Sequence, residues 1–560
     1  MKKASIATAV LLLASMALAQ LQPWQPVTQD MLNNPPASEW PAKRRSPNSW
    51  GYSPLNQITT ENVDQLDLAW AFDTGVAGGV EWTPIVANGR MFLQANQTRV
   101  IALDAATGDL LWTYEYQALP PEERTRLGVG GITHNRGVNV YDNMVLTHWY
   151  DSHIVALDAE TGQELWKTFT DGGGYTSPGI IADGVLISGN RAKNFDRAFV
   201  TGTDPASGEI LWQTYVIPGP GEPGYETWEV EGTAEIGHGS VWMTPSYDPE
   251  LNLVYVATGN PDPYTLQTRP GDNLYTGSLI ALDPQTGEIV WHHQFVPNDS
   301  WDLDSVMEPV LVDIEVNGET VKALIHTGKS GFTNILNRET GEFIDHTFVT
   351  YQNLFLEVDP ETGRPTMNAD LVPEPGVRKI ACPSTRGGTD WPARAYSPDT
   401  HLYYISGNHV CMDVEGFAFE EGIPLRNIDD IRVVAPGYED QIGELFAFDA
   451  DTLDLVWSVK FREPTTAIPL PTAGGVVFAG HVDRYFRAYD AADGTLLWET
   501  RLPAPIEGHP ISYEVNGEQY VAVPVGCCSL IGGAMAREFT PEIIGPAGTG
   551  MVFVFKLEND

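Results

Sequence analysis

Sulfur and carboxylate are the side chains here whose types and spacing could do chemistry. Four cysteines are present: Cys382 and Cys411 stand apart, whereas Cys527 and Cys528 are adjacent. In an oxidising compartment four thiols pair, and the simplest pairing is one long loop, Cys382 to Cys411, and one vicinal ring, Cys527 to Cys528. A ring between neighbours is small and strained, hence easier to reduce than a relaxed bridge. The plainer alternative is two buried thiols packed as small apolar side chains. No Cys-x-x-Cys-His run occurs, so no built-in haem of the c type is expected. Asp302 and Asp304 lie two residues apart and would face one side of an extended segment. An Asp in a loop more commonly caps a turn, so the pair needs a context before it means a base or a cation site.

The compartment follows from the first residues. Met1-Lys2-Lys3 leads into an apolar run through Leu11-Leu12-Leu13 to Ala17-Leu18-Ala19, the charged start, short apolar centre and small-residue exit of a signal peptide. The expected division is a signal peptide over 1–19 and one domain over 20–560. The run is shorter than the roughly 20 apolar residues a spanning helix needs, so no membrane span is expected after cleavage, in a periplasmic or otherwise exported protein. A net charge of −42 repels nucleic acid and anionic lipid. It suits a solvated acidic surface or a cationic redox partner.

The elements that must position such residues announce themselves as a repeat. An apolar strand ending in Asp, a Thr-Gly-like turn and a short strand ending in Trp recur along the chain. The copies are Asp104, Gly108, Trp112; Asp158, Gly162, Trp166; Asp204, Gly208, Trp212; Asp283, Gly287, Trp291; Asp449, Trp457; and Asp490, Gly494, Trp498. Asn337, Gly341 and Ile344 form a copy without Trp, and Leu68-Ala69-Trp70 is the tail of another. Gly supplies the positive φ of a tight hairpin and Asp caps the turn, so each phrase is two antiparallel strands. Eight copies at such spacing predict an all-β, eight-bladed propeller in which each Trp docks on a neighbouring sheet. The long gaps, Trp212 to Trp291 and Ile344 to Trp457, should carry insertions on one face, where function commonly lies.

Beyond architecture, several stretches carry a family resemblance. They are Ser246-Tyr247-Asp248-Pro249-Glu250-Leu251-Asn252-Leu253, Thr258-Gly259-Asn260-Pro261, Arg269-Pro270-Gly271-Asp272-Asn273, Trp301-Asp302, Asn135-Arg136-Gly137, Cys382-Pro383 and Asn408-His409-Val410-Cys411-Met412-Asp413. Together they resemble the pyrroloquinoline quinone (PQQ)-dependent methanol and alcohol dehydrogenases. The resemblance implies a quinone in the propeller axis, an adjacent acid as base, and a Ca²⁺ or lanthanide ion beside the quinone. On that reading Asp302 is the catalytic base, Asn260 a metal-binding amide and Trp242 the indole under the quinone ring. Glu81, Arg136, Lys329 and Asp390 become cofactor contacts, and the Cys382 to Cys411 spacing fits the family's structural disulfide. Asp304 stands where an acid marks lanthanide users, giving Asn260, Asp302 and Asp304 as a metal set.

The sequence departs from that pattern in three places. The family's metal-ligand glutamate falls on Lys193, in the loop Asn190-Arg191-Ala192-Lys193. At about 4 Å and an effective dielectric near 20, a divalent ion beside a lysine is disfavoured by about 8 kcal/mol. Ordinary metal binding there is therefore not expected unless Lys193 points away or is neutral; a variant reading keeps the quinone with Lys193 in place of the metal. The family's adjacent cysteines align with Gly130-Gly131, and Thr466 and Leu530 replace tryptophans, so the pocket is rebuilt. The leading expectation is a PQQ-dependent alcohol dehydrogenase that passes electrons to a separate acceptor such as a cytochrome c. The rival is a non-catalytic propeller, a binding or assembly scaffold that lost its metal carboxylate.

Overall fold

The computed structural model describes residues 21–129, 134–193, 196–264, 268–417, 427–527, 529, 532–543, 545 and 548–558. The expected signal peptide, Gly130-Gly131, Cys528 and Leu530 lie outside the described residues, and with Cys528 the expected vicinal ring. Among the described residues there are eight four-stranded antiparallel sheets. Seven run consecutively as 85–115, 139–169, 180–215, 246–294, 310–348, 395–461 and 470–501. The eighth combines both ends of the chain: Ile511–Val515, Glu518–Val525 and Thr549–Leu557 are joined by Leu66–Ala77 as outermost strand.

Within a blade, burial falls outward. In the second blade Met144–His148 is buried throughout, whereas the outermost strand Glu164–Phe169 alternates exposed and half-buried residues. The repeated phrase makes the hairpin between the last two strands. Asp104 Oδ1 accepts from Ala106 N (2.8 Å) and Thr107 N (3.1 Å), and Gly108 N donates to Asp104 O (2.8 Å). The same cap recurs at Asp158, Asp204, Asp283, Asn337, Asp449 and Asp490.

The tryptophans then join blade to blade. Trp112 donates its Nε1 proton to Ala159 O (3.1 Å) and lays its ring on Gly162, where a Cβ would stand 2.6 Å from Cε3. Gly162 also has φ +70°, so both the turn and the docked ring require glycine. Trp70, Trp166, Trp212, Trp291 and Trp457 lie against Gly108, Gly208, Gly287, Gly341 and Gly494 in the same way. Ile344 serves the Trp-less junction within an apolar cluster that includes Ile335, Tyr403, Phe448 and Leu453. Trp498 meets Phe555 edge-on at 5.7 Å. These contacts run from each blade to the next and from the eighth to the first, which closes the ring.

The long gaps hold insertions as expected. Lys379–Ala381, Val410–Gly416 and Ile428–Val434 form an extra sheet, and the Cys382–Cys411 disulfide ties its two nearer strands. Among the described residues no helix is long and apolar enough to cross a membrane.

Candidate functional site

In a four-stranded meander, the link from an outermost strand to the next innermost strand shares one end with the turn between the second and third strands. Loops of both kinds meet around a cavity of about 310 Å³. Glu81, Arg136, Thr176, Trp242, Asp302, Asp304, Arg386, Asp390 and Trp391 come from links between blades. Arg191, Asn260, Tyr264 and Lys329 come from turns within the third, fourth and fifth.

The acid pair is organised around one ammonium. Lys329 Nζ lies 3.0 Å from Asp302 Oδ1 and 2.6 Å from Asp304 Oδ2, all three side chains being buried. Burial pulls the Lys329 ammonium down, but Asp302, Asp304 and Asp390 outweigh it and hold it well above the usual lysine range. Asp304 Oδ1 accepts from Asn260 N at 2.9 Å. Gly259 makes that approach possible, since a Cβ there would stand 2.6 Å from the same oxygen. Asp299 shapes the loop by accepting from Trp301 N (2.8 Å) and Leu303 N (2.7 Å). The segment is not extended as the spacing suggested: Asp302 has φ +63°, a left-handed conformation that few non-glycine residues adopt. The two carboxylates meet because Lys329 draws both.

The facing wall is aromatic and cationic. The Arg136 guanidinium lies 5.0 Å from the Trp242 ring and 5.7 Å from that of Trp391, and pairs with Glu81 at 2.6 Å. Trp242 is half-buried: it lines the cavity and also packs against an apolar cluster that includes Met243 and Trp391. Burial holds His134 and His238 down to about 4, so both are neutral near pH 7. Burial lifts Asp390 to about 6, against the pull of Lys329 and with a push from Asp304.

Of the residues singled out from sequence, Glu81, Arg136, Trp242, Asn260, Asp302, Asp304, Lys329 and Asp390 are brought to this one cavity. Lys193 is not. Its ammonium pairs with the exposed Asp171, and it is not among the residues that line the cavity. The loop is pinned by backbone: Arg191 N donates to Gly174 O (3.1 Å), Gly173 N to Arg191 O (2.7 Å) and Ala192 N to Ser240 Oγ (3.0 Å). In the loop so held, Arg191 lines the cavity whereas Lys193 pairs with Asp171. Sequence reasoning missed Arg191, Arg386 and Trp391, although each is one or a few residues from a position it named. Cys527 is buried beside Arg537, whose Nη2 is 3.7 Å from its sulfur.

The family model described as "PQQ: Glucose/ethanol/alcohol dehydrogenase, beta-propeller domain" matches residues 40–347 and 438–521. The chain belongs to this PQQ-dependent dehydrogenase family. It is 35% identical over 531 residues to the dehydrogenase subunit of the alcohol dehydrogenase (quinone) of Komagataeibacter europaeus, covering 87% of this chain and 71% of that one. It is 32% identical to the lanthanide-dependent methanol dehydrogenase of Methylacidiphilum fumariolicum (strain SolV), covering 90% and 87%. Among solved structures, a europium-containing methanol dehydrogenase superposes with a TM-score of 0.86 at 30% identity, over 94% of this chain and all of that one. As a member of the quinoprotein alcohol dehydrogenases the chain is an oxidoreductase acting on CH–OH donors, and the scaffold alternative finds no support.

The cavity of this quinoprotein suits the family's cofactor. Arg136 Nε, Arg386 Nε and Trp391 Nε1 are buried donors without a hydrogen-bond partner among the described residues. Such donors, beside a flat indole, match a planar polycarboxylate. A metal ion fits less well. Both oxygens of Asp304 are engaged, Oδ1 by Asn260 N and Oδ2 by the Lys329 ammonium. Among the described residues no three His, Cys, Asp or Glu converge as a metal site, whereas Ca²⁺ takes six to eight oxygens.

Proposed function

We propose that this chain is an exported, periplasmic PQQ-dependent dehydrogenase that oxidises an alcohol to an aldehyde or ketone and passes the electrons to a separate acceptor. One observation carries the reading: Asp302, held by Lys329, opens on the same cavity as the Trp242 indole and the Arg136 guanidinium. When bound, the quinone supplies the two-electron acceptor for the hydrogen leaving the carbinol carbon. The protein supplies the rest. Trp242 would give the ring a flat apolar bed, and Arg136, Lys329 and Arg386 would hold its carboxylates. Asp302 accepts the hydroxyl proton of the alcohol at a carboxylate oxygen, and Lys329 keeps that carboxylate from swinging away. Buried Trp391 and Asn260 help to exclude water from the cavity.

Titration of the purified chain with PQQ, followed by quinone absorbance and by alcohol-dependent reduction of an artificial dye, tests the reading. Stoichiometric quinone binding with dye reduction by a short alcohol is expected. A chain that binds no quinone and reduces no dye would overturn it.

A further inference from the structure

The cations around the cavity are not equivalent. Arg136 is paired with Glu81, and Lys329 with Asp302 and Asp304. The Arg191 guanidinium makes no hydrogen bond or ion pair among the described residues, yet it lines the cavity beside His238, Asn260 and Asp304. Its charge acts on Asp304 and Asp262, whereas the other unpaired guanidinium, Arg386, acts on Asp390. The loop that carries Arg191 is where the resemblance puts a metal-ligand glutamate, and here Arg191 lines the cavity whereas Lys193 pairs with Asp171. Glu81, Asp302, Asp304 and Asp390 share the cavity with Arg136, Arg191, Lys329 and Arg386, so its wall already carries four fixed cationic side chains. A divalent or trivalent cation placed at Asn260 and Asp304 would meet Arg191 and Lys329 head-on, with no third carboxylate to hold it.

We propose that the Arg191 guanidinium holds the place of the metal ion, so that this chain binds its quinone through a fixed organic cation and needs no Ca²⁺ or lanthanide. The inference rests on the quinone-binding reading above and deepens it. Arg191 is planar and always charged, with up to five N–H donors that can meet a quinone oxygen or a neighbouring carboxylate. It thus supplies positive charge to the same edge of the site without asking for oxygen ligands the chain lacks.

The test uses the full chain stripped with excess chelator, titrated with PQQ by tryptophan quenching, with metal content measured by mass spectrometry. Quinone affinity should be equal in chelator, in added Ca²⁺ and in added La³⁺, and no stoichiometric metal should copurify. Arg191→Ala should weaken quinone binding by about tenfold to a hundredfold at unchanged melting temperature, and Arg191→Lys should recover part of it. The double variant Arg191→Gly/Lys193→Glu should take up a metal and make quinone binding chelator-sensitive. A wild-type chain whose quinone affinity collapses in chelator and returns with Ca²⁺ or La³⁺ would overturn the inference, as would Arg191→Ala binding quinone normally in chelator. Absence of quinone binding under every condition would instead remove the dehydrogenase reading itself.

Discussion

Asp302 shows how much one residue can be asked to do. It sits in a left-handed conformation, ion-paired to Lys329, with its carboxylate on the cavity wall. Asp302→Asn keeps the shape but cannot take a hydroxyl proton, so turnover should fall roughly 10²- to 10⁴-fold with quinone affinity little changed. Steady-state rates above a tenth of wild type would remove Asp302 from the chemistry. Trp242→Ala should lower quinone affinity by about tenfold and affect quinone binding more than the melting temperature, because the ring lines the cavity and is only partly packed against the apolar cluster behind it. Early melting with unchanged affinity would reverse that assignment.

A neighbouring carboxyl reports on the same buried field. Burial lifts Asp262 to about 7, Arg269 pulls it back and Asp304 pushes it further. A folded-state value above the unfolded one near 4 means that the native protein holds a proton the unfolded chain has lost. This stabilisation is complete below about pH 4 and disappears as pH rises through about 7. Denaturant curves of wild type against Asp262→Asn should therefore diverge across that window, wild type losing up to about 1.4 kcal/mol per pH unit relative to the variant. Parallel curves would mean that Asp262 ionises normally.

The hairpin and its docked tryptophan are the working unit at the scale of elements. Gly162 carries two demands, a positive φ and room for the Trp112 ring, while Gly517, at φ +80°, has nothing within 4 Å of its would-be Cβ. Replacing each by Ala separates them. Gly517→Ala should cost about 1 kcal/mol from backbone strain alone, and Gly162→Ala about 1–3 kcal/mol more because the ring must move. Equal losses in chemical denaturation would show that the Trp docking is loose.

Closure governs the molecule as a whole. The last blade is built from Leu66–Ala77 paired to Thr549–Leu557, so the two ends of the described chain hold each other. Deleting 549–560 leaves Leu66–Ala77 without its partner and opens the junctions made by Trp70 and by Phe555. The truncated chain should melt at least about 10 °C lower, and a scan that leaves the midpoint in place would show that closure contributes little. The ring also decides what reaches the axis, since loops hundreds of residues apart, such as those of Glu81 and Trp391, share one cavity only when it is shut.

By itself the sequence determined the blades, because each repeats the same local physics: an Asp cap, a glycine with positive φ and a Trp at a set distance beyond it. Half of the cavity wall was legible too, since Glu81, Arg136, Trp242, Asn260, Asp302, Asp304, Lys329 and Asp390 were recognisable by type and motif. Only the tertiary structure decided the direction of side chains in irregular loops. The resemblance put Lys193 at the metal position, but in the loop held by hydrogen bonds to Gly173, Gly174 and the Ser240 hydroxyl it is Arg191 that lines the cavity. An extended stretch would have aligned Asp302 with Asp304 by its period of two. The loop instead turns through a left-handed residue, and the two acids converge on a lysine supplied by the next blade. Such contacts depend on partners far away in the chain, which no local pattern encodes.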